Sequence, residues 1–216
     1  MQIIEQKLEK LENLSLKKRT NNMIIIGDVH GNVNQYWKLL KKNPGQKTIQ
    51  VGDFGFKKEH RWHLDNINPD NHKINFGNHD DYTFLHSPHS TGNFGMVTPE
   101  IMTIRGASSG PKYGLKVNVD YWENEELNDE EQRRLIKYFK NCKPEIVISH
   151  DCPDKIFRKI VPENDYFPSN TTLFLQRSLY EHQPKLWIFG HHHQSKTMTV
   201  NGTTFVALNE LETYNI

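Results

Sequence analysis

Short apolar runs that each stop at a glycine, with polar residues immediately after, recur along this chain and constrain its fold more than any other feature. Met23–Ile26 ends at Gly27, Thr48–Val51 at Gly52, Lys73–Phe76 at Gly77, Ile101–Arg105 at Gly106, and Leu186–Phe189 runs into Gly190. Runs of this length bounded by glycine read as buried strands. Between them the spacing changes to a helical one. Val33–Lys42 is a helix stopped by Pro44 and Gly45; Asn128 caps a second with an acidic first turn (Asp129, Glu130, Glu131) and a body to about Lys140; Thr171–Gln183 is a third. Glu145–Ser149 is another strand, and Lys196–Val200 and Thr203–Leu208 flank Asn201-Gly202, a strong hairpin signal. Alternating β and α elements followed by a hairpin predict an α/β chain with mixed sheets, two of them, and helices outside. The stretch Asp81 to Pro99, rich in Ser, Pro, Gly and His, reads as a long loop overhanging a site.

A length of 216 residues suits one domain. Ile4, Leu8, Leu11 and Leu14 stand at helical spacing among charges, predicting an amphipathic helix over 1–20 ahead of a single domain over 21–216. That helix packs on its own domain or pairs with a partner copy. Twenty-seven Lys and Arg against 26 Asp and Glu give a net charge of +1, which argues against an extended nucleic-acid surface but leaves a nucleotide open as a substrate. Cys142 and Cys152 form no C-x-x-C pair and are expected as free thiols in a reducing compartment. No apolar run approaches the roughly 20 residues that span a bilayer, and the charged N-terminus is unlike a signal peptide. The expectation is a soluble, cytoplasmic protein.

The polar clusters carry the chemistry. Four follow strand and glycine: Asp28-Val29-His30, Asp53, Asn78-His79-Asp80 and His191-His192-His193. A fifth, His150-Asp151, ends a strand without a glycine. In α/β sheets the crevice beyond the strands' C-terminal ends is where sites are built, so all five converge. Asp28 and His30 are two apart and can offer oxygen and nitrogen to one cation; His191 and His193 repeat the arrangement. Asp53 and Asn78 follow at intervals of about 25 residues, one crossover each, which sets neighbouring strand ends side by side. Seven such donors exceed what one transition metal takes from a protein and suit two sharing a carboxylate. Such a pair, about 3.5–4 Å apart, can hold a hydroxide, lower its pKa and offset the charge growing on a phosphoryl group. The remaining histidines (His60, His63, His72, His86, His89, His182, His192) fall in no such pattern and are assigned to surface or packing.

The order D-x-H, G-D, G-N-H-D, a His after a strand, then G-H-x-H resembles the calcineurin-like metallophosphoesterases, bacterial and phage types included, from Gly27 to His193. The resemblance implies a four-layer α/β/β/α sandwich with mixed sheets. It also implies that Asp28, His30 and His193 hold a first metal, Asn78, His150 and His191 a second, and that Asp53 bridges. His79 would be the non-ligand catalytic histidine, acting as acid for the leaving oxygen or as a cation for developing charge. Asp80 is assigned beside it as a catalytic partner, with a helix cap or backbone acceptor as the alternative. Substrate binding falls to Asn78, Lys57 and Arg105, Arg105 having a surface ion pair as its alternative. The second motif of the related protein phosphatases, G-D-x-x-D-R-G, is not kept: Phe56 and Lys57 stand in its last Asp and Arg places, and lysine lacks the guanidinium fork. The implied activity is hydrolysis of phosphate mono- or diesters by a hydroxide on two divalent metals, manganese foremost, with iron, zinc, nickel and cobalt alternatives. Substrates span small molecules, nucleotides and phosphoproteins. The competing readings are a silent binding or scaffold protein of the same fold, which retention of every ligand and His79 disfavours, and a nucleotide-directed phosphodiesterase or nuclease.

Overall fold

A computed structural model describes residues 23–55, 64–110, 114, 116–119, 121–163 and 166–216. The expected helix over 1–20, its proposed self-association, and Phe56 and Lys57 lie outside these residues. The chain runs β1 (Met23–Ile26), α1 (Val33–Lys42), β2 (Lys47–Gln50), β3 (His72–Ile74), β4 (Phe94–Met96) and β5 (Ile101–Ile104). There follow α2 (Asp129–Cys142), β6 (Ile146–Ser149), α3 (Asp154–Ile160), α4 (Asn170–Glu181), β7 (Leu186–Phe189), β8 (Lys196–Val200), β9 (Thr203–Ala207) and β10 (Thr213–Asn215).

One sheet has the order β10-β1-β2-β3 and the other β4-β5-β6-β7-β9-β8. The central strands of both are parallel, while β10, β4 and β8 pair antiparallel at or beside the edges. Side chains alternate between strand faces, and both faces here are covered. Ile25, Ile49 and Val51 meet Ile148, Ile188 and Val206 between the sheets. Ile24 and Ile26 turn the other way, onto Val33, Tyr36 and Leu40 of α1. On the far side Val147, Trp187 and Phe205 pack against Leu135 and Phe139 of α2, Ile156 of α3, and Phe174 and Leu175 of α4. The layers are therefore α/β/β/α.

The helix starts follow local chemistry. Asn128 accepts from the amides of Glu130 and Glu131 while the Glu131 carboxylate accepts from the Asn128 amide, a capping box. Ser169 and Thr172 cap α4 in the same reciprocal way. The stretch Asp81–Pro99 is more ordered than expected. Asp81 accepts from the Thr83 amide and opens a 3-10 turn over Tyr82–Phe84, and Phe94–Met96 joins the second sheet. Two further elements carry little sequence signal: α3, seven residues after Pro153, and the polar edge strand β10.

Candidate dinuclear metal centre

Every strand that supplies a donor does so at its C-terminal end. Asp28 and His30 follow β1, Asp53 follows β2, Asn78 and His79 follow β3, His150 follows β6, and His191 and His193 follow β7. Because β1, β2 and β3 are parallel neighbours in one sheet and β6 and β7 in the other, these residues meet where the two sheets end together.

Of three three-residue donor groups among the described residues, two form the expected site, Asp28, His30 and His193, and Asp53, His150 and His191; the third is Asp151, Cys152 and His192. In the first, His193 Nε2 lies 3.3 Å from Asp28 Oδ2 and 2.9 Å from His30 Nε2. In the second, His150 Nε2 lies 3.2 Å from Asp53 Oδ2 and 3.2 Å from Asn78 Oδ1. Asp53 Oδ2 is also 3.9 Å from His30 Nε2, so its carboxylate stands between the groups. Donors about 2.0–2.1 Å from one ion are about 3.0 Å apart at right angles and about 3.4 Å at tetrahedral angles, which these separations match. Asp28 Oδ1 and His150 Nδ1 are buried 4.0 Å apart with no hydrogen-bond partner among the described residues. The donor set and the unpartnered acceptor fit divalent cations.

The backbone is bent to make this happen. His30, Asp53, His191 and His193 all have positive φ, between 46° and 65°. For residues bearing a Cβ this costs on the order of 1–3 kcal/mol each and persists only where the surroundings enforce it. Asp53 O accepts from the Val29 and His30 amides, tying two of the loops together, and Asp53 Oδ1 accepts from the His79 amide at 2.8 Å. The glycines ahead of the motifs make room: a Cβ on Gly190 would overlap Asp28 Oδ1, and one on Gly77 would overlap Asp53 Oδ1 and His150 Nε2.

Charge is tightly coupled. Burial alone would raise the Asp53 pKa, but His150, by charge and hydrogen bond, and then His79 and His191 hold it well below the carboxylate range. Burial would lower His150; Asp53, then Asp28 and Asp80, override it and push it to about 9. His191 goes the other way, driven down to about 3 chiefly by burial, with Asp151 and Asp53 pulling it up and His192 and His150 pushing it down.

A family model described as calcineurin-like phosphoesterase matches residues 22–195. The chain belongs to that family. It is a phosphoesterase, and metal-dependent cleavage of phosphoesters is the family's chemistry. Among solved structures it resembles a dimetal phosphatase from Danio rerio, at 13% identity over 88% of each chain and a TM-score of 0.55. It also resembles the protein TT1561 of Thermus thermophilus, at 12% identity over 90% of this chain and 98% of that one, TM-score 0.54. A third is the phosphopantetheinyl hydrolase of Mycobacterium tuberculosis, at 13% identity over 88% and 89%, TM-score 0.51. At such identities the likeness establishes the fold. No curated protein sequence matches the chain. No helix among the described residues is long and apolar enough to cross a membrane.

Two of the expected site residues have their side chains engaged by other parts of the chain. Asp80 is fully buried, and its oxygens accept from the Gly55 amide at 2.8 Å and the Gly77 amide at 2.9 Å. It holds the second and third motif loops in register by their backbones and is not placed as a catalytic group. Arg105 does not reach substrate either. It is 3% exposed; its Nε donates to Asn93 Oδ1 at 2.6 Å, its guanidinium donates to Asn124 O at 2.7 Å, and it stacks over the Tyr82 ring.

Three residues of the surroundings carried no motif. Ser109 Oγ donates to buried Glu125 Oε2 at 2.8 Å and accepts from Asn78 Nδ2 at 3.3 Å. That bond fixes which end of the Asn78 amide faces His150. His192, assigned to packing, donates to Asp151 Oδ1 at 3.0 Å and stacks on Phe157 at 4.8 Å. The three consecutive histidines were the available signal for His192; Ser109 offered none beyond its polarity in an otherwise loop-like stretch.

Proposed function

We propose that this phosphoesterase hydrolyses phosphate mono- or diesters with two divalent cations, manganese foremost, held by Asp28, His30 and His193 on one side and Asn78, His150 and His191 on the other, with Asp53 shared. The observation that carries this reading is the position of Asp53 Oδ2, 3.2 Å from His150 Nε2 and 3.9 Å from His30 Nε2, between the two donor groups. Cations bound there would supply an acidified water nucleophile and offset phosphoryl charge. His79 is exposed beside them, its amide anchored on Asp53 and its ring 5.5 Å from that of His30. As water adds to phosphorus and the bond to the ester oxygen breaks, the His79 imidazole donates a proton to that departing oxygen and regains one from solvent. Phe56 and Lys57, standing where the related protein phosphatases have Asp and Arg, support a reading outside the protein phosphatase branch. A cytosolic location accords with the free thiols of Cys142 and Cys152.

The test is turnover of p-nitrophenyl phosphate and its bis ester. Chelation abolishes it, Mn²⁺ restores it, and Asp53→Asn removes it even with excess metal; undiminished activity in Asp53→Asn refutes the assignment.

A further inference from the structure

Beside His79, Asn78 and His191 a cavity of about 580 Å³ opens away from the metal ligands. Its size falls within the roughly 300–1,000 Å³ of small-molecule sites. It is contiguous with the proposed reaction centre, since Asn78, His79 and His191 line it. Part of its lining is aromatic and apolar: Phe157, Val161, Phe167 and Pro168. Phe157 is already stacked on His192, the rings 4.8 Å apart and 22° from parallel. Phe167 is 63% exposed and makes no ring contact among the described residues, which leaves its π face available to an occupant of the cavity. The lining also includes the small, uncharged Ser108, Ser109 and Gly110. No lysine or arginine occurs among the described lining residues; the carboxylate present, Asp151, is occupied by His192 and by the Cys152 amide.

These features select among substrates. Among the described lining residues a second phosphate or an acidic peptide would meet no lysine or arginine, and a flexible chain would leave the Phe167 face poorly matched. A flat ring system gains dispersion on such a face over its whole area, and stacking of this kind tolerates any base. We infer that this cavity receives the organic group of the phosphoester, and that the group is an uncharged aromatic ring system of nucleobase size, stacked against Phe167. The inference rests on the reaction centre proposed above, and it names the substrate class: nucleotide-like esters carrying one phosphoryl group at the metals.

Calorimetric titration of the manganese-loaded full-length protein tests it without turnover. The probes are three uncleavable phosphonates: methylphosphonate, hexylphosphonate, and adenosine 5′-phosphate with methylene in place of its bridging oxygen. The adenosine compound is expected to bind about tenfold or more tighter than methylphosphonate, with hexylphosphonate well behind it. Phe167→Ala, which removes an exposed ring outside the core, is expected to bring the adenosine-to-methyl ratio below roughly threefold. Equal binding of adenosine and methyl compounds overturns the inference, as does hexylphosphonate matching adenosine, or Phe167→Ala leaving the ratio intact. A protein that shows the preference and its loss in Phe167→Ala, yet cleaves no phosphate ester, supports the cavity assignment and removes the reaction.

Discussion

Replacing Ser109 by alanine should weaken the second metal site and spare the first. The hydroxyl does two things: it donates to Glu125 Oε2 at 2.8 Å and accepts from Asn78 Nδ2 at 3.3 Å. Alanine removes both bonds, while the Ser109 amide keeps its own 2.8 Å bond to Glu125 Oε1, so the loop stays anchored. Asn78 then loses the acceptor that keeps its nitrogen outward and its oxygen toward His150. A neutral hydrogen bond contributes about 0.5–1.5 kcal/mol, which at about 1.4 kcal/mol per decade is roughly a two- to twelvefold change in affinity. Groups that orient metal ligands from behind typically change affinity about 10–100-fold. About tenfold lies in both ranges and is the expected loss. Calorimetric titration of Mn²⁺ into chelator-stripped protein should resolve it as a weakened second binding step with an unchanged first, and Ser109→Thr, which keeps the hydroxyl, should recover most of it. Two equally weakened steps would mean general destabilisation, and two unchanged steps would show that Asn78 needs no such support; either result refutes the reasoning.

His79→Ala should lower kcat/KM on alkyl diesters by about 10²–10⁴-fold and on p-nitrophenyl esters much less, because only the alkoxide needs the proton; equal losses would assign His79 to charge stabilisation instead. Gly190→Ala places a methyl against Asp28 Oδ1 and should abolish binding at the first site, read as bound manganese falling from two equivalents toward one with the circular dichroism spectrum retained. Arg105→Met should act on stability. Loss of its bonds to Asn93 and Asn124 costs about 3 kcal/mol, a drop of roughly 6–12 °C in Tm, with KM at low temperature unchanged; a raised KM would return Arg105 to substrate binding.

Strands β1, β6 and β7 were readable because they are almost wholly buried, so that a run such as Met23–Ile26 is apolar at every position. What followed each run was readable for a different reason: donors two apart on a strand end can share one cation only when the backbone turns, and the glycines beside them mark where backbone and ligand crowd. The edges were less legible. Strand β10 is three residues of mixed polarity that pair with β1 from the far end of the chain, and β4 lies within a stretch rich in turn formers. Neither has a periodicity long enough to read. Their positions come from tertiary pairing, such as Ile24 opposite Asn215.

The same distinction applies at the site. Arg105 stands at the end of β5, where strand-end residues of the neighbouring strands reach into the crevice, and from sequence alone it has an equal claim to do so. Its direction is decided by Asn93 and by the carbonyls of Asn124 and Glu125, 12 to 20 residues away along irregular chain. His192 shows the converse. Its neighbours His191 and His193 both adopt left-handed backbone and join the two donor groups, and His192 between them turns to Phe157 and to Asp151, 41 residues earlier. A ring held there by a carboxylate at 3.0 Å and a stacked aromatic fixes the loop that carries two metal ligands. The middle histidine of the triplet therefore sets the geometry of the outer two without itself lying in either of their donor groups.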